Sequence, residues 1–401
     1  MLHRTRALEA LANRSDDFDR VEHARDTALR WYREALNAAE AAGHARLMEQ
    51  LEGVETPGAL ATVEFDRGLI LPFGSRWENA QDARSWAMGI LNGVTTVGVD
   101  GSQLIPSKEY GVPVGLIQVA WFENPHDTSG AYVKDAVVEV LAGPQLTNHG
   151  EMRTLEDRLF HGEPVNQRRF ARETEKVAEY LQTLGTDPTP LVLFDGSLVV
   201  SFASQMRAES RKAYIIPIVR ALAASIDHRV PLAGFIDTSY ARDLIRLLES
   251  LSPDAPEAGP ETLLFDAALL DSRMDLFDRT CVFVCARGDV LDDYVDPDTE
   301  RSLSDEVCFA YMRCNAGRPP ARIEFPRWIL DAGLVDRVMD IIRAEIIVGA
   351  GYPYPLEAAD AAAVLTTQDR MSFYRIFQEF AQEQGLGLAA TAKMSSKSRR
   401  R

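Results

Sequence analysis

The stretch Thr96-Val97-Gly98-Val99-Asp100-Gly101-Ser102-Gln103 sets an apolar run directly against an acid and a turn. Its core occurs again where Leu191-Val192-Leu193-Phe194 leads into Asp195-Gly196-Ser197. Both apolar runs read as short buried strands, and both acids stand where a turn begins. A carboxylate in that position is costly unless it is paired or metal-bound. Two of them, on strands far apart in sequence, predict one carboxylate cluster holding a hard divalent cation. Asp-Gly is also a common turn dipeptide in which the acid only caps the turn. That reading accounts well for one copy and poorly for two.

Outward from these strands the pattern is mixed α/β. Gly115–Phe122 and Ala131–Leu141 read as strands joined by the turn Pro125-His-Asp-Thr-Ser-Gly130, an antiparallel hairpin after the first acid. Helical periodicity follows over 151–159 and 165–184, then the strand that ends at Asp195. Ser204–Ile226 and Ser239–Leu251 read as helices around the strand Leu232–Asp237. Later strands are expected at Cys281–Cys285, Val307–Arg313 and Ala321–Phe325, and helices at Leu334–Ala344 and Leu356–Glu383. A long hairpin before the first crossover helix, with acids at strand ends, is the layout of a ribonuclease-H-like sheet flanked by helices. Three regions are expected: a helical segment over 1–56 that is either a core-packing cap or an oligomer or partner surface, a nuclease domain over 57–390, and a basic flexible tail over 391–401. Residues 57–80, with Pro57, Gly58, Gly68, Pro72 and Gly74, read as irregular until a helix over Trp77–Leu91.

Composition bounds the function. The 401 residues are 46% hydrophobic, enough for a large core, and 26% are charged, as in ordinary globular chains. The net charge of −17 argues against a nucleic-acid coat protein, but not against an enzyme that touches a strand locally. No apolar stretch is long enough for a membrane helix. The early residues Arg14, Asp16, Asp17 and Asp19 interrupt any leader-like run, so a cytoplasmic location is expected. Cys281, Cys285, Cys308 and Cys314 lack the loop spacing of a zinc site and read as buried thiols. The histidines, among them His126, His149 and His161, show no paired ligand spacing. Asp237 ends another strand and reads as an ordinary turn acid. No Gly-x-x-x-x-Gly-Lys-Ser/Thr run is present, so ATP hydrolysis would have to come from a partner.

Two acids are too few for two-ion phosphodiester cleavage, which uses three or four carboxylates from separate elements. The helix before Asp195 offers Glu173, Glu175 and Glu179. Glu173 shares a helix face with Val177 and Tyr180 and is favoured; Glu175 and Glu179 fit a solvated face. Arg169 and Arg172 flank Glu173 and are either phosphate contacts or plain surface charges. Ser102 and Ser197 are placed to hydrogen-bond a carboxylate or a phosphate oxygen.

Thr96–Gln103, Leu193–Leu198 and Gly351-Tyr-Pro-Tyr-Pro-Leu-Glu-Ala-Ala-Asp360 together resemble the NurA nuclease family, in its bacterial branch, with the motifs in family order. The resemblance implies a ribonuclease-H-like fold and a Mn²⁺-dependent deoxyribonuclease, with Mg²⁺ as an alternative ion. It implies 5′→3′ exonuclease and single-strand endonuclease activity on single-stranded and end-containing duplex DNA. It also implies a homodimer that works with a HerA-type hexameric ATPase in end resection and double-strand break repair. By motif match Asp100 and Asp195 are metal-binding acids, Glu173 is the helix glutamate and Tyr352 is the motif tyrosine. The family pattern often ends in Ala-His where this chain has Ala359-Asp360; aspartate keeps the capacity to ligate Mn²⁺ through oxygen. The expected catalytic set is Asp100, Glu173, Asp195, Tyr352 and Asp360, with the four acids as metal ligands. The rival readings are a non-catalytic scaffold of the same fold that binds the translocase or DNA ends, and an RNA-processing enzyme.

Overall fold

The computed structural model describes residues 2–108, 112–146, 161–252, 254–256, 262 and 264–385. The helix expected over 151–159, His149 and the tail over 391–401 lie outside them. The chain forms two compact units: residues 1–78, 235–293 and 302–334 in the first, and residues 79–234, 294–301 and 335–401 in the second.

The first unit is an antiparallel assembly. Its strands are β1 (Gly58–Ala61), β2 (Ile70–Leu71), β8 (Arg279–Thr280), β9 (Phe283–Ala286), β10 (Val307–Met312) and β11 (Ala321–Pro326). β1 pairs with β9, β9 with β10 and β10 with β11, while β2 pairs with β8 and β8 with β10. β1 and β2 fall in the Pro- and Gly-rich stretch read as irregular; they are too short to show an alternating pattern. The N-terminal residues form the helices Arg4–Ala12 and Ser15–Gln50, the second broken at Gly43, whose φ of 77° is left-handed. Leu8, Leu11 and Phe18 are exposed, and burial begins with Ala28, Tyr32 and Leu36. All four cysteines are buried free thiols, as their spacing predicts.

The second unit carries the carboxylates. β3 (Thr96–Leu104) pairs antiparallel with β4 (Val114–Asn124), and β4 pairs antiparallel with β5 (Val133–Ala142). The helix Glu163–Thr183 then crosses over to β6 (Leu191–Asp195), which runs parallel to β3 with Val99 opposite Phe194. β7 (Leu232–Ile236) is next to β6, giving the order β5-β4-β3-β6-β7. An antiparallel hairpin followed by a crossover helix and a parallel strand is the ribonuclease-H-like arrangement expected from the sequence.

The helices on this sheet follow from local sequence. Glu163–Thr183 has Pro164 as its second residue, whose fixed φ suits a first turn. It buries the stripe Val165, Phe170, Thr174, Val177 and Leu181. The expected helix over Leu356–Glu383 is two, Tyr354–Ala363 and Thr367–Glu383. The break is written at Thr366, whose side chain caps Asp369 N while Asp369 reaches back in a capping box. Gly98 brings the start of Tyr354–Ala363 down onto β3: a Cβ there would stand 2.7 Å from Leu356 N and closer to Pro355.

Candidate metal centre

Asp100 lies within β3, and its register sets its neighbours. Side chains alternate across a strand, so Gly98 and Asp100 face one side and Gly101 the other. The Gly98 face is covered by Tyr354–Ala363, the helix that carries Asp360. Asp195 closes β6 one residue past the Val99–Phe194 pair, whereas Asp100, one residue past it on β3, is followed by strand to Leu104 and not by the turn its motif predicts, because β4 pairs with β3 through Leu104. Parallel register therefore places the two acids of the repeated Asp-Gly-Ser side by side at the same edge. Gly196 makes the turn after Asp195 with φ 144°, a conformation that favours glycine.

Glu173 arrives from the opposite face of the sheet. It is only 4% exposed, and its carboxylate occupies the space where Gly101 has no side chain. Arg169, one turn earlier, forms an ion pair with Glu173 and donates from Nη1 to Gly101 O at 3.2 Å. Glu175 and Glu179 are exposed and pair with Arg172 and Lys176. Of the three candidate helix glutamates, only Glu173 points into the cluster.

Electrostatics record the convergence. Burial pushes Asp100 up to about 6; the Gly101 N–H pulls it down, and repulsion from Asp195 and Asp360 adds to the rise. Burial pushes Glu173 up to about 8, against the pull of Arg169 and with added repulsion from Asp100 and Asp195. Carboxylates that raise one another in this way share a site. Tyr352 donates from its hydroxyl to Asp195 Oδ1 at 2.8 Å. Its backbone is delivered by a tight turn in which Ala350 and Gly351 both have positive φ, 54° and 124°. Asp195 and Asp360 are solvent-exposed and Tyr352 is half-buried, so the acid edge is open.

The structure thus brings Asp100, Glu173, Asp195, Asp360 and Tyr352 together from β3, the crossover helix, β6, the Tyr354–Ala363 helix and the turn before it. Their donors are hard oxygens, which fit Mn²⁺ or Mg²⁺ and not a thiolate-seeking ion. Among the described residues no three acidic, histidine or cysteine side chains draw close enough to form a ready-made ion cage. The two serines of the motifs serve the backbone: Ser102 Oγ accepts from Leu365 N at 3.3 Å, and Ser197 Oγ accepts from Val199 N at 3.0 Å. Arg172 and its neighbour Arg168 are tied to Glu139 of β5 at 2.6 and 2.8 Å. Asp237 pairs with Arg318 at 3.1 Å.

The sequence pattern of the NurA domain matches residues 94–365, from the start of β3 past Asp360. The chain belongs to the NurA domain family. This NurA domain contains all five residues of the cluster. Solved structures similar to the chain include the NurA nuclease from Sulfolobus solfataricus, with 13% identity and a TM-score of 0.49 over 73% of this chain and 85% of that one. A NurA structure with manganese has 12% identity and a TM-score of 0.44 over 83% and 96%. Endonuclease V from Bacillus subtilis has 14% identity and a TM-score of 0.30 over 72% and 83%. A comparison with curated proteins finds no match.

Two features of this NurA chain escaped sequence reading. One is the buried trio of Thr96, His126 and Glu345, assembled from β3, the hairpin turn and the helix Val335–Val348. The other is the buried charge cluster of Asp243, Arg287, Arg322 and Glu324 in the first unit. The alternation of Arg322 and Glu324 in an apolar strand was the available signal for the second. No helix among the described residues is long and apolar enough to cross a membrane.

Proposed function

We propose that this chain is a divalent-cation-dependent deoxyribonuclease that hydrolyses phosphodiester bonds. Asp100, Glu173, Asp195 and Asp360 hold the ion, Mn²⁺ or Mg²⁺, and Tyr352 positions Asp195 and the substrate. The observation that carries this reading is the approach of four carboxylates from β3, β6 and a helix on each face of the sheet, with Glu173 reaching past Gly101. A bound divalent cation supplies Lewis-acid stabilisation of charge on the phosphate and makes the attacking water more acidic. The chain's own residues orient that chemistry. Tyr352 fixes the carboxylate of Asp195 by its hydrogen bond, and the open edge at Asp195 and Asp360 admits a strand. Tyrosine, with an ordinary pKa of about 10, is a positioning group here and not a base.

Family membership supports a finer reading: 5′→3′ exonuclease and single-strand endonuclease action by a cytoplasmic homodimer, with a HerA-type hexameric ATPase, in end resection and double-strand break repair. The deciding experiment is cleavage of labelled single-stranded DNA, end-bearing duplex and RNA with Mn²⁺, comparing wild type with Asp100→Ala. Metal-dependent DNA cleavage lost in the variant is expected. Cleavage retained in Asp100→Ala overturns the site, and preferred cleavage of RNA overturns the substrate. No cleavage by wild type, alone or with the ATPase, overturns the enzyme reading in favour of a scaffold.

A further inference from the structure

Arg169 is held by one prong, where Arg279, Arg287 and Arg168 are held by two. Arg279 grips Glu64 with two parallel bonds, Nη1 to Oε2 at 2.8 Å and Nη2 to Oε1 at 2.9 Å. Arg287 does the same to Asp243, and Arg168 to Glu139. Such two-pronged pairing is how a guanidinium is fixed permanently. Arg169 meets both Glu173 and Gly101 O through Nη1, and its buried Nε has no hydrogen-bond partner among the described residues. Helix stability does not explain the pair either. The base precedes the acid by four residues, the weaker of the two orientations. Its location is explained by charge: Arg169 offsets both Asp100 and Glu173.

We propose that Arg169 is an internal counter-ion that competes with the divalent cation for Glu173, so that the ion is admitted as the guanidinium is displaced. The proposal rests on the four-acid reading of the metal centre. Arg169 is 27% exposed at its side chain, so displacement leads it toward solvent and not into the core. A divalent ion feels the guanidinium charge about twice as strongly as a proton does. Removing Arg169 therefore takes away both a competitor for Glu173 and a charge that repels the ion.

The test is Mn²⁺ affinity measured by titration calorimetry, without DNA and without any assay of cleavage. Arg169→Gln is expected to bind Mn²⁺ about tenfold more tightly than wild type, and Arg169→Lys, which keeps the charge, to stay within about threefold. A merely structural arginine would give the opposite sign, because its loss would loosen the site and weaken binding. Equal or weaker binding by Arg169→Gln overturns the proposal, as does equal tightening by Arg169→Lys. Asp100→Asn reports on the underlying reading: if wild type binds no Mn²⁺, or if Asp100→Asn binds it unchanged, the metal centre itself is wrong. Should Arg169→Gln unfold when free of metal, its recovery on adding Mn²⁺ supports the counter-ion role, and failure to recover overturns it.

Discussion

Gly101 leaves open the space that the Glu173 carboxylate fills: a Cβ on Gly101 would stand 3.0 Å from Glu173 Cγ and Cδ, and closer still to Oε1. Asp100 and Glu173 approach from opposite faces of β3, and a strand ordinarily separates what lies on its two faces. The missing side chain is what lets one carboxylate reach the other. Gly101 is thus a passage within β3 and not a turn residue, and Gly98 plays the matching part for the helix bearing Asp360.

Gly101→Ala is therefore expected to fold and to lose its metal site. Overpacking of this kind costs about 1–3 kcal/mol of stability. Displacement of Glu173 by about an ångström is expected to lower cleavage about 100-fold. Urea unfolding and Mn²⁺ titration of the same preparation separate the two effects. Wild-type Mn²⁺ affinity in a folded Gly101→Ala would show that Glu173 does not hold the ion.

Tyr352→Phe removes the 2.8 Å hydrogen bond to Asp195. A bond to a charged group contributes about 1.5–3 kcal/mol when buried, and less at this open edge. Cleavage is expected to fall about tenfold, with an unchanged pH profile because the hydroxyl holds an acid in place and transfers no proton. A profile that loses its alkaline limb in the variant would make Tyr352 a proton-transfer residue instead.

The acids of this centre that lie on strands were legible in the sequence by a local signature, although only Asp195 ends its strand and β3 runs on past Asp100 to Leu104. An apolar run, an acid and a glycine are adjacent in the chain at both Asp100 and Asp195. Glu173 was readable as a helix-face position, since Val177 marks the inward stripe. What was not legible was pairing across long sequence distances. Nothing near Gly101 says that Glu173 will need its space, and nothing near Arg169 says that its charge will fall between two acids. The short strands β1 and β2 escaped for a related reason: pairing with β9 and β8, and not local pattern, makes them strands.

Glu345 sets a pH dependence of stability away from the acid edge. It is fully buried, accepts from Thr96 Oγ1 at 2.6 Å and lies 3.4 Å from His126 Nε2. Burial pushes its carboxyl up to about 7, with Thr96 pulling the other way. His126 Nδ1 lies 2.8 Å from Val94 O, a pure acceptor, so Nδ1 carries the hydrogen and Nε2 is left to accept. Burial also holds the imidazole below its ordinary range. A carboxyl raised on folding stabilises fully below its unfolded pKa of about 4.5, and that stability is lost as pH rises through about 7. The loss amounts to about 3 kcal/mol at most. Thermal melts of wild type are expected to fall across this window, and those of Glu345→Gln, which stays neutral at every pH, to lack this fall. Parallel curves for the two proteins would mean that Glu345 is ionised throughout.

Arg322 tests the framework of the first unit. Its guanidinium is 2% exposed, sits 3.8 Å above the Phe309 ring, and meets both Asp243 and Glu324 at 2.7 Å. Asp243 begins the helix Asp243–Leu251, whose first N–H groups donate to Asp266 at 2.8–3.1 Å. Asp266 also accepts from Tyr311 at 2.9 Å, so one buried arginine stands at the centre of a chain of polar contacts. Removing one partner of such a pair strands buried charge, which costs about 3–5 kcal/mol, whereas replacing both partners with apolar residues is often nearly neutral. Arg322→Met is expected to show the full loss in urea unfolding. Arg322→Met with Glu324→Leu is expected to regain part of it, because Asp243 keeps its two bonds to Arg287 and the buried carboxylate that Arg322 neutralised is gone. No recovery in the double variant would mean that the arginine stabilises by its packing on Phe309 and not by its charge.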